Sequence, residues 1–354
     1  MLLKTLNLKN FRNFTLKELK FGSRMSLVVG RNATGKTNLM EAIWILSRGR
    51  SFRGGRDEEM ISYQEELSVN SCRLSDEEKL EIVLTRGEVG GIRAPRKQYL
   101  VNGVKKRAMD FAGILKTVLF RPEDLEIVIG SPAVRRDYLD SVLELVNREY
   151  RRASLSYQKG LRQRNRVLEQ IREGRANRSA LFFWDRLLIE NGQLLNAERA
   201  EFIRFVNAQP DYFGDLEIEY DQSLISPERL TRYATEEVFA AKTLVGPHRD
   251  DFKINSKLEI KNDKFKSRDL SIYGSRGEQR LAVFSLKLAE LEFVAKITGQ
   301  RPVLLLDDIF SELDQKNRRH LLEVIPKQQT IMTMTEASLV NPEFLKGIEI
   351  IGLD

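Results

Sequence analysis

The stretch of sequence that decides the fold is Gly30-Arg31-Asn32-Ala33-Thr34-Gly35-Lys36-Thr37. It fits the phosphate-loop pattern G-x-x-x-x-G-K-[ST], which lies between a strand and a helix. Both flanks are present: residues 26–29 form a short β-rich run, and apolar residues recur at helical spacing from 37 to 46. A chance match in a glycine-bearing turn is therefore disfavoured, and the sequence predicts a strand, a phosphate loop and a helix in that order.

A loop of this kind binds the phosphates of a nucleotide. Its backbone amides and the N-terminus of the following helix point at phosphate oxygens. Lys36 can reach the β- and γ-phosphates, the Thr37 hydroxyl can ligate Mg²⁺, and Gly35 lets the backbone approach closely. We therefore predict ATP and Mg²⁺ as ligands, with nucleotide contacts from Gly30, Arg31, Asn32, Ala33, Thr34, Gly35, Lys36, Thr37 and Asn38.

Two adjacent acids follow an apolar run later in the chain, in Leu304-Leu305-Leu306-Asp307-Asp308. The run is typical of a strand buried on both faces, and residues 330–334 could be its neighbour. In nucleotide hydrolases the first acid can hold Mg²⁺ and the second can orient the attacking water. An ordinary strand end with solvated acids is the alternative. We predict Lys36, Asp307 and Asp308 as catalytic residues, with slow hydrolysis because Asp308 is shorter than the more usual Glu.

The composition narrows the class of protein. The chain has 354 residues, with 58 Lys and Arg against 51 Asp and Glu, and a formal net charge of +7. No run approaches the roughly eighteen apolar residues of a membrane span, and the N-terminus lacks the pattern of a secretory signal. A single cysteine, Cys72, excludes an internal disulfide framework. We expect a cytoplasmic protein with no membrane partner.

The middle of the chain is basic and helical in pattern. From about 142 to 206 its apolar residues lie three and four apart, with a break near Gly174, which predicts two antiparallel helices joined by a short loop. Between Arg148 and Arg178, ten Lys or Arg stand against three acids. Such residues either contact DNA phosphates or form a solvated helix face. They are Arg148, Arg151, Arg152, Lys159, Arg162, Arg164, Arg166, Arg172, Arg175 and Arg178.

A further motif opens the helical pattern before the acid pair, in Ser275-Arg276-Gly277-Glu278-Gln279-Arg280. It resembles the S-x-G-[QE] signature of ATP-binding-cassette ATPases. That resemblance implies that Ser275, Gly277 and Gln279 contact a nucleotide held by a second subunit, whereas a plain helix N-cap by Ser275 is the alternative. The stretch 311–314, Ser-Glu-Leu-Asp, stands at the spacing of the cassette D-loop.

The order of these motifs, with a long basic insertion between them, resembles the SMC-like branch of the cassette ATPases, and more specifically the RecF recombination and repair family. The resemblance runs from Leu8 to about Glu336. The stretches that carry it are Leu8-Lys9-Asn10-Phe11-Arg12-Asn13-Phe14, Ser51-Phe52-Arg53, Phe120-Arg121-Pro122-Glu123-Asp124-Leu125, Arg135-Arg136-Asp137-Tyr138-Leu139-Asp140 and Gly246-Pro247-His248-Arg249-Asp250-Asp251.

The resemblance implies an α/β fold: a P-loop ATPase head of mixed sheets around a central helix, with an inserted antiparallel helical arm. We predict the head over 1–140 and 207–354, and the arm over 141–206. By the same resemblance Arg12 touches nucleotide phosphates, although it could be a surface arginine, and Glu123 is a metal ligand. Ala33 departs from the family, which usually has Gly at that position. Residues 333–336 contain no counterpart of the switch histidine that many transporter ATPases have.

The resemblance also implies a function. A member of this family is expected to be a slow, DNA-stimulated ATPase whose ATP-driven homodimer clamps double-stranded, gapped or junction DNA. With RecR and RecO, it is expected to promote RecA loading on strands coated by single-strand-binding protein. An SMC-like ATPase scaffold that gates a partner effector without contacting DNA is the alternative. The roles of Arg53, His248 and Arg249 stay open at this point.

Overall fold

The structure is a computed structural model that describes residues 2–209, 216–260, 264–309, 318, 325–336 and 348–353. Its strands are, in chain order, β1 (Leu3–Phe11), β2 (Phe14–Lys20), β3 (Met25–Val29), β4 (Leu67–Leu74), β5 (Lys79–Thr85), β6 (Glu88–Val89), β7 (Ile92–Arg93), β8 (Lys97–Val101), β9 (Val104–Lys106), β10 (Thr117–Phe120), β11 (Leu216–Asp221), β12 (Asp251–Ile260), β13 (Lys264–Asp269), β14 (Val303–Asp307), β15 (Thr330–Met334) and β16 (Glu349–Gly352). Its helices are α1 (Lys36–Arg48), α2 (Ala108–Phe111), α3 (Glu126–Ile129), α4 (Pro132–Val146), α5 (Arg148–Arg172), α6 (Phe182–Asn207), α7 (Pro227–Arg232), α8 (Ala234–Ala240), α9 (Leu270–Tyr273) and α10 (Arg276–Thr298). Short 3-10 turns lie at Asp57–Met60, Pro122–Leu125, Arg178–Leu181, Pro247–Arg249 and Ile325–Lys327.

The chain folds into two compact units. The first comprises Met1–Glu123 with Glu290–Asp354, and the second comprises Asp124–Ala289. The second unit contains α5 and α6, the two long helices that the apolar pattern predicts, together with the sheet of β11, β12 and β13. The narrower arm over 141–206 stays a prediction.

A parallel sheet in the first unit positions the phosphate loop. Its order is β10-β14-β15-β3-β16, and every neighbouring pair is parallel. The predicted pairing of the apolar run with residues 330–334 is confirmed, since Leu305 is in register with Ile331. Each residue of β14 and of β15 is buried, as expected for strands covered on both faces. Ligands of parallel sheets bind at the carboxyl edge, which is where β3 enters the loop.

An antiparallel sheet makes up the rest of the first unit. Its order is β2-β1-β4-β5-β8-β9, and every neighbouring pair is antiparallel. The hairpin between β8 and β9 turns at Asn102 and Gly103, whose φ angles are 50° and 78°. A two-residue turn with both φ positive matches the right-handed twist of the flanking strands. Leu6, Leu80 and Ile82 join α1 in one buried core.

The two long helices of the second unit are antiparallel. A Cβ on Gly160 of α5 would lie 2.4 Å from Leu187 of α6, and Tyr150 near the start of α5 accepts a hydrogen bond from Arg199 near the end of α6. Contacts therefore run in opposite order along the two helices. The apolar pattern predicted one helix from about residue 142 to the break near Gly174, but that stretch is divided: Asn147 is extended and separates α4 from α5. Its side chain caps α5 by accepting from the backbone amides of Glu149 and Tyr150, at 2.9 and 3.0 Å.

Within the described residues, no helix has both the length and the apolar composition that crossing a membrane requires.

Candidate functional site

The phosphate loop is a tight turn that leads from β3 into α1. Gly35 has a φ of 104°, and Ala33 has a φ of 68°, so both lie in the left-handed region. For a residue with a Cβ atom, this left-handed conformation is unfavourable by about 1 kcal/mol or more. Ala33 carries that cost, whereas the glycine that the family usually has at this position would not. The loop thus keeps its left-handed backbone despite Ala33.

The two glycines of the loop are required by close packing. A Cβ on Gly35 would lie 2.6 Å from Asn13 and 2.8 Å from the Phe14 ring, and a Cβ on Gly30 would lie 2.5 Å from the Thr34 hydroxyl. Asn13 holds the loop directly, because its Nδ2 donates to the Thr34 carbonyl at 3.0 Å. Sequence reasoning did not single out Asn13, although it lies in the first motif of the family resemblance.

Asn38, in the first turn of α1, completes this attachment. Its Nδ2 donates to Oδ1 of Asn13 at 2.7 Å, so the turn between β1 and β2 is tied to both the loop and the helix. Asn38 was predicted to contact the nucleotide, and the structure places it beside the loop with its amide nitrogen bound to Asn13.

Lys36 lies at the start of α1 with its side chain buried. Its Nζ donates to the carbonyls of Gly30 and Arg31, at 2.9 and 3.3 Å, and lies 3.6 Å from Oδ2 of Asp308. The ammonium group is therefore held within the curve of the loop, where a phosphate would offer it further acceptors. Lys36 and Asp308, two predicted catalytic residues, are brought together.

Asp307 ends β14 at the carboxyl edge of the parallel sheet. It is 3% exposed, and its Oδ1 accepts a hydrogen bond from the Thr333 hydroxyl at 2.8 Å. Burial raises the pKa of Asp307 above its ordinary value, while hydrogen bonds from Thr333 and Thr37 lower it. The charges of Asp308 and Glu123 raise the pKa of Asp307 further, so all the predicted metal ligands lie within electrostatic reach of one carboxylate.

The donor set at this point suits a hard cation. The Thr37 hydroxyl is close enough to Asp307 to lower the pKa of that carboxyl group, and a divalent ion would relieve the unfavourable charge that Asp308 and Glu123 impose on Asp307. Oxygen donors from one hydroxyl and one or two carboxylates are the set that Mg²⁺ takes beside nucleotide phosphates. The predicted residues therefore fit the predicted metal.

A buried carboxylate that sequence reasoning missed organises two arginines beside the loop. Glu41 of α1 is fully buried and accepts from Nε and NH2 of Arg12, at 2.9 and 2.7 Å. Arg53 lies 3.3 Å from the same carboxylate, and the Ser51 hydroxyl donates to it at 2.5 Å. Arg12 is thus held in a bidentate ion pair and is not a free surface arginine. The structure also pairs Arg53 with Glu41, a partner that the sequence motif of Arg53 did not reveal.

The signature motif begins α10 with a capping box. The backbone amide of Ser275 donates to Glu278 at 2.8 Å, and the amide of Glu278 donates to the Ser275 hydroxyl at 3.3 Å. Gly277 faces open space, since an added Cβ would meet only the Ser275 hydroxyl, at 3.9 Å. Gln279 differs from the prediction: it is 5% exposed and donates to the Leu270 carbonyl at 2.8 Å, so its side chain is turned inward. The D-loop stretch 311–314 lies outside the described residues.

The second unit is built around a buried ion pair between α6 and the motif 246–251. Asp250 is fully buried and accepts from Arg199 at 2.8 Å, from Tyr220 at 2.6 Å and from the Ser223 amide at 2.7 Å. Arg199 also donates to Asp140, at 2.7 Å. A buried carboxylate with this many donors is satisfied, and the motif therefore braces the helices of this unit. Sequence reasoning singled out Asp250 only as part of a motif and missed Arg199.

His248 is a neutral bracing residue in the same motif. Its Nε2 lies 2.9 Å from the Thr243 carbonyl and its Nδ1 lies 2.8 Å from the Tyr157 hydroxyl. Because a carbonyl only accepts, Nε2 carries the proton and Nδ1 accepts from Tyr157. Burial lowers the pKa of His248 to about 4. The neighbouring Arg249 is exposed.

Eight of the ten basic residues between 148 and 178 are exposed. The other two are buried and have structural partners: Arg151 donates to the Glu144 carbonyl, and Arg164 is paired with Asp185 and Glu237, each at 2.7 Å. Arg151 and Arg164 are therefore not available to DNA, and this corrects the sequence-based prediction that included them among ten candidate phosphate contacts. Five of the exposed basic residues on α5 lie on the face opposite its buried residues, and we call them the basic face: Arg148, Arg152, Lys159, Arg162 and Arg166.

Comparison with known proteins agrees with this geometry. The family model for the RecF/RecN/SMC N-terminal domain matches residues 2–351. The DNA replication and repair protein RecF of Lachnoclostridium phytofermentans is 35% identical over 352 residues, covering 95% of this chain and 93% of the relative. That of Herpetosiphon aurantiacus is 36% identical over 388 residues, covering 100% and 98%.

Solved structures agree as well. One described as the recombination mediator protein RecF with ATP, in the RecFOR pathway, matches with a TM-score of 0.84 and 34% identity, covering 96% of this chain and 93% of that one. An SMC head bound to the C-winged helix domain of ScpA has a TM-score of 0.50 at 16% identity, covers 99% of this chain and 94% of that one, and supports the fold alone. The P-loop ATPase head expected from the motifs is therefore confirmed, and the chain belongs to the RecF/RecN/SMC N-terminal domain family and, within it, to the RecF DNA replication and repair proteins.

Proposed function

We propose that this protein is an ATP-driven DNA clamp of recombinational repair. The observation that carries the proposal is the convergence of Lys36, Thr37, Asp307 and Asp308 at the carboxyl edge of the parallel sheet, in a chain that also presents a basic helical face. The first feature is the arrangement that ATP hydrolysis requires, and the second is the charge that a DNA backbone attracts.

ATP would bind at the phosphate loop. Lys36 would neutralise the terminal phosphates, and the backbone of Gly30, Arg31, Asn32, Ala33, Thr34 and Gly35 would surround them, with Arg12 nearby. Thr37 and Asp307, with Glu123 behind them, would hold Mg²⁺, whose charge offsets that of the phosphates. Asp308 would orient the attacking water and accept its proton. Thr333, which donates to Asp307 at 2.8 Å, positions that acid from the neighbouring strand.

Two copies would close around ATP. By the cassette arrangement, Ser275 and Gly277 of one copy would contact the nucleotide held by the other. The open space around Gly277 and its place in the first turn of α10 support this contact. Because glycine has no side chain, a phosphate can approach the backbone amides at the N-terminus of the helix. We leave Gln279 out of the proposed site, since its side chain is buried.

The clamp would act on DNA with a double-stranded part. The basic face would contact phosphates and not bases, so binding would be tolerant of sequence and sensitive to salt. We propose gapped or junction DNA as the substrate, stimulation of a slow ATPase by that DNA, and RecR, RecO and RecA as pathway partners. A protein with that substrate and those partners would work in the cytoplasm.

The test is the molar mass in solution by light scattering, with and without ATP–Mg²⁺ and a gapped duplex. We expect a monomer that doubles only with ATP and then retains the duplex. A mass that is indifferent to ATP would contradict the clamp. ATP-dependent doubling without DNA retention at low salt would instead support a scaffold that gates a partner effector.

A further inference from the structure

Two aromatic side chains are exposed at the end of the helical hairpin. We call the segment 172–186, where α5 ends and α6 begins, the arm tip. Within it Phe182 is 73% exposed and Phe183 is 66% exposed. Leu181, immediately before them, is 8% exposed. Leu181 is thus buried in the protein, whereas the two phenylalanine side chains that follow it remain at the surface.

The aromatic surface is held in place. The ring of Phe183 meets that of Trp184 edge-on, with 4.8 Å between the centroids and 81° between the planes. An edge-on contact of this kind stabilises both rings, and the Phe183 side chain still keeps 66% of its surface exposed. Exposed phenylalanines lower solubility, so two adjacent ones at the end of a helical hairpin, with Trp184 beside them, indicate a binding surface.

The charge around these rings is positive. Arg172, Arg175 and Arg178 are exposed in the arm tip, and the basic face on α5 continues toward it through Arg166. The two carboxylates of the tip are already paired within the chain: Glu173 binds Arg175, and Asp185 accepts from Arg164 at 2.7 Å. The uncompensated charge next to the aromatic rings is therefore cationic, and its complement is a polyanion.

We propose that the arm tip binds single-stranded DNA, with bases stacked on Phe182 and Phe183 and phosphates on Arg172 and Arg178. Exposed aromatic rings beside arginines are the combination that binds single strands, since every base has a face that stacks and every nucleotide a phosphate that pairs. Duplex DNA offers phosphates but few free base faces. The tip would therefore recognise the unpaired side of a gap while the basic face holds the duplex. This inference rests on the proposed DNA-clamp function.

The experiment measures DNA binding by fluorescence anisotropy in the full chain. The probes are a labelled oligothymidylate, a blunt duplex and a gapped duplex, each with ATP–Mg²⁺. The test variant is F182A/F183A. The matched control is F239A, because Phe239 is 83% exposed in the same unit but lies outside the arm tip. Circular dichroism of each variant checks that its helices are retained.

We expect F182A/F183A to lose at least about tenfold in affinity for the oligothymidylate, as removal of one or two stacked bases predicts, and to keep its affinity for the blunt duplex. The F239A control should bind all three probes as the unmodified chain does. Equal losses on the oligothymidylate and the duplex, or none on either, would overturn the inference. If the unmodified chain binds no duplex and no gapped DNA, the proposed clamp itself fails.

A second measurement follows the tip directly. The chain has two tryptophans, so W44F leaves Trp184 as the only one. Oligothymidylate should quench the Trp184 fluorescence, and a blunt duplex of equal charge should not. Quenching by both, or by neither, would contradict stacking at the tip. Concentration-dependent self-association that F182A/F183A abolishes, with oligothymidylate affinity unchanged, would instead assign these rings to a protein contact.

Discussion

The Nζ of Lys36 lies 3.6 Å from Oδ2 of Asp308. The two residues are far apart in sequence, and they meet because β3 and β14 end at the same edge of one parallel sheet. Lys36 is 5% exposed whereas the Asp308 side chain is 35% exposed, so the carboxylate lies between the buried ammonium and solvent. A group in that position can accept a proton from water next to the phosphate that the lysine binds.

Removing the lysine tests the nucleotide site. Lys36→Ala should weaken ATP binding at least about tenfold, because the variant has no ammonium group to form a charge-assisted hydrogen bond with phosphate. ATP-dependent dimerisation should weaken with it. Isothermal titration with ATP–Mg²⁺ measures the affinity. Lys4→Ala is the matched control, since Lys4 pairs with Glu77 on the surface at 2.8 Å and should not affect ATP binding. Unchanged ATP affinity in Lys36→Ala would remove the site assignment.

Asp308→Asn tests the proposed base. Asp308 has a φ of 52°, and asparagine is among the few residues that tolerate that backbone, so the substitution removes the charge without forcing a new turn. We expect hydrolysis to slow by about a hundredfold, within the range typical of a general base, with ATP still bound and the dimer longer-lived. Single-turnover hydrolysis and light scattering measure both effects. Faster turnover would contradict the role.

What could be predicted from the sequence was local in character. The phosphate loop, the buried strand before Asp307 and the hairpin at Asn102 each depend on short patterns with a direct backbone cause. Glu41 had no such signal, because one glutamate within a helix looks like any other until Arg12 and Arg53 fold against it.

The basic segment was only partly predictable for a different reason. Counting charges treats every arginine as equal, yet Arg164 follows Tyr157 and Gly160 at spacings of seven and four and so falls on the buried side of α5. That helical spacing was available in the sequence. The partners of Arg164, Asp185 and Glu237, were not, because they come from other elements of the unit.

Gly277→Ala separates folding from dimerisation. An added Cβ at Gly277 meets no atom closer than 3.9 Å, and alanine in a helix is more favourable than glycine, so the variant should be as stable as the parent or more stable by up to about 1 kcal/mol. If a partner's nucleotide approaches this glycine, the same methyl group should weaken the ATP-dependent dimer. Urea unfolding and light scattering give the two values. A dimer of unchanged affinity would argue against the signature contact.

Ser275→Arg should also block the dimer and leave ATP binding by the monomer intact, but it disrupts the capping box as well.

Salt dependence tests the basic face. Every lysine or arginine that neutralises a DNA phosphate adds about 0.9 to the steepness with which log K falls against log salt. Replacing Arg152, Lys159 and Arg166 with glutamine should therefore make that slope shallower by up to about 3, measured by duplex binding at several salt concentrations. Arg204→Gln is the control, because Arg204 is exposed on α6 and paired with Glu201. An unchanged slope in the triple variant would locate DNA elsewhere.

His248 should make stability depend on pH. Its pKa is about 4 in the folded chain against an ordinary value of 6.5, since burial favours the neutral ring that accepts from Tyr157. Because the pKa of His248 is lower in the folded chain than in the unfolded chain, His248 contributes its full stabilisation above pH 6.5. That contribution is lost as the pH falls from 6.5 toward 4. The free energy of unfolding of the parent should fall through that window by up to about 3 kcal/mol from this residue. His248→Gln, whose amide can still donate to the Thr243 carbonyl, should be less stable than the parent at pH 7.5, and the difference should narrow toward pH 4.5. Urea unfolding across that range measures both curves, and parallel curves would mean that His248 is not held neutral by the fold.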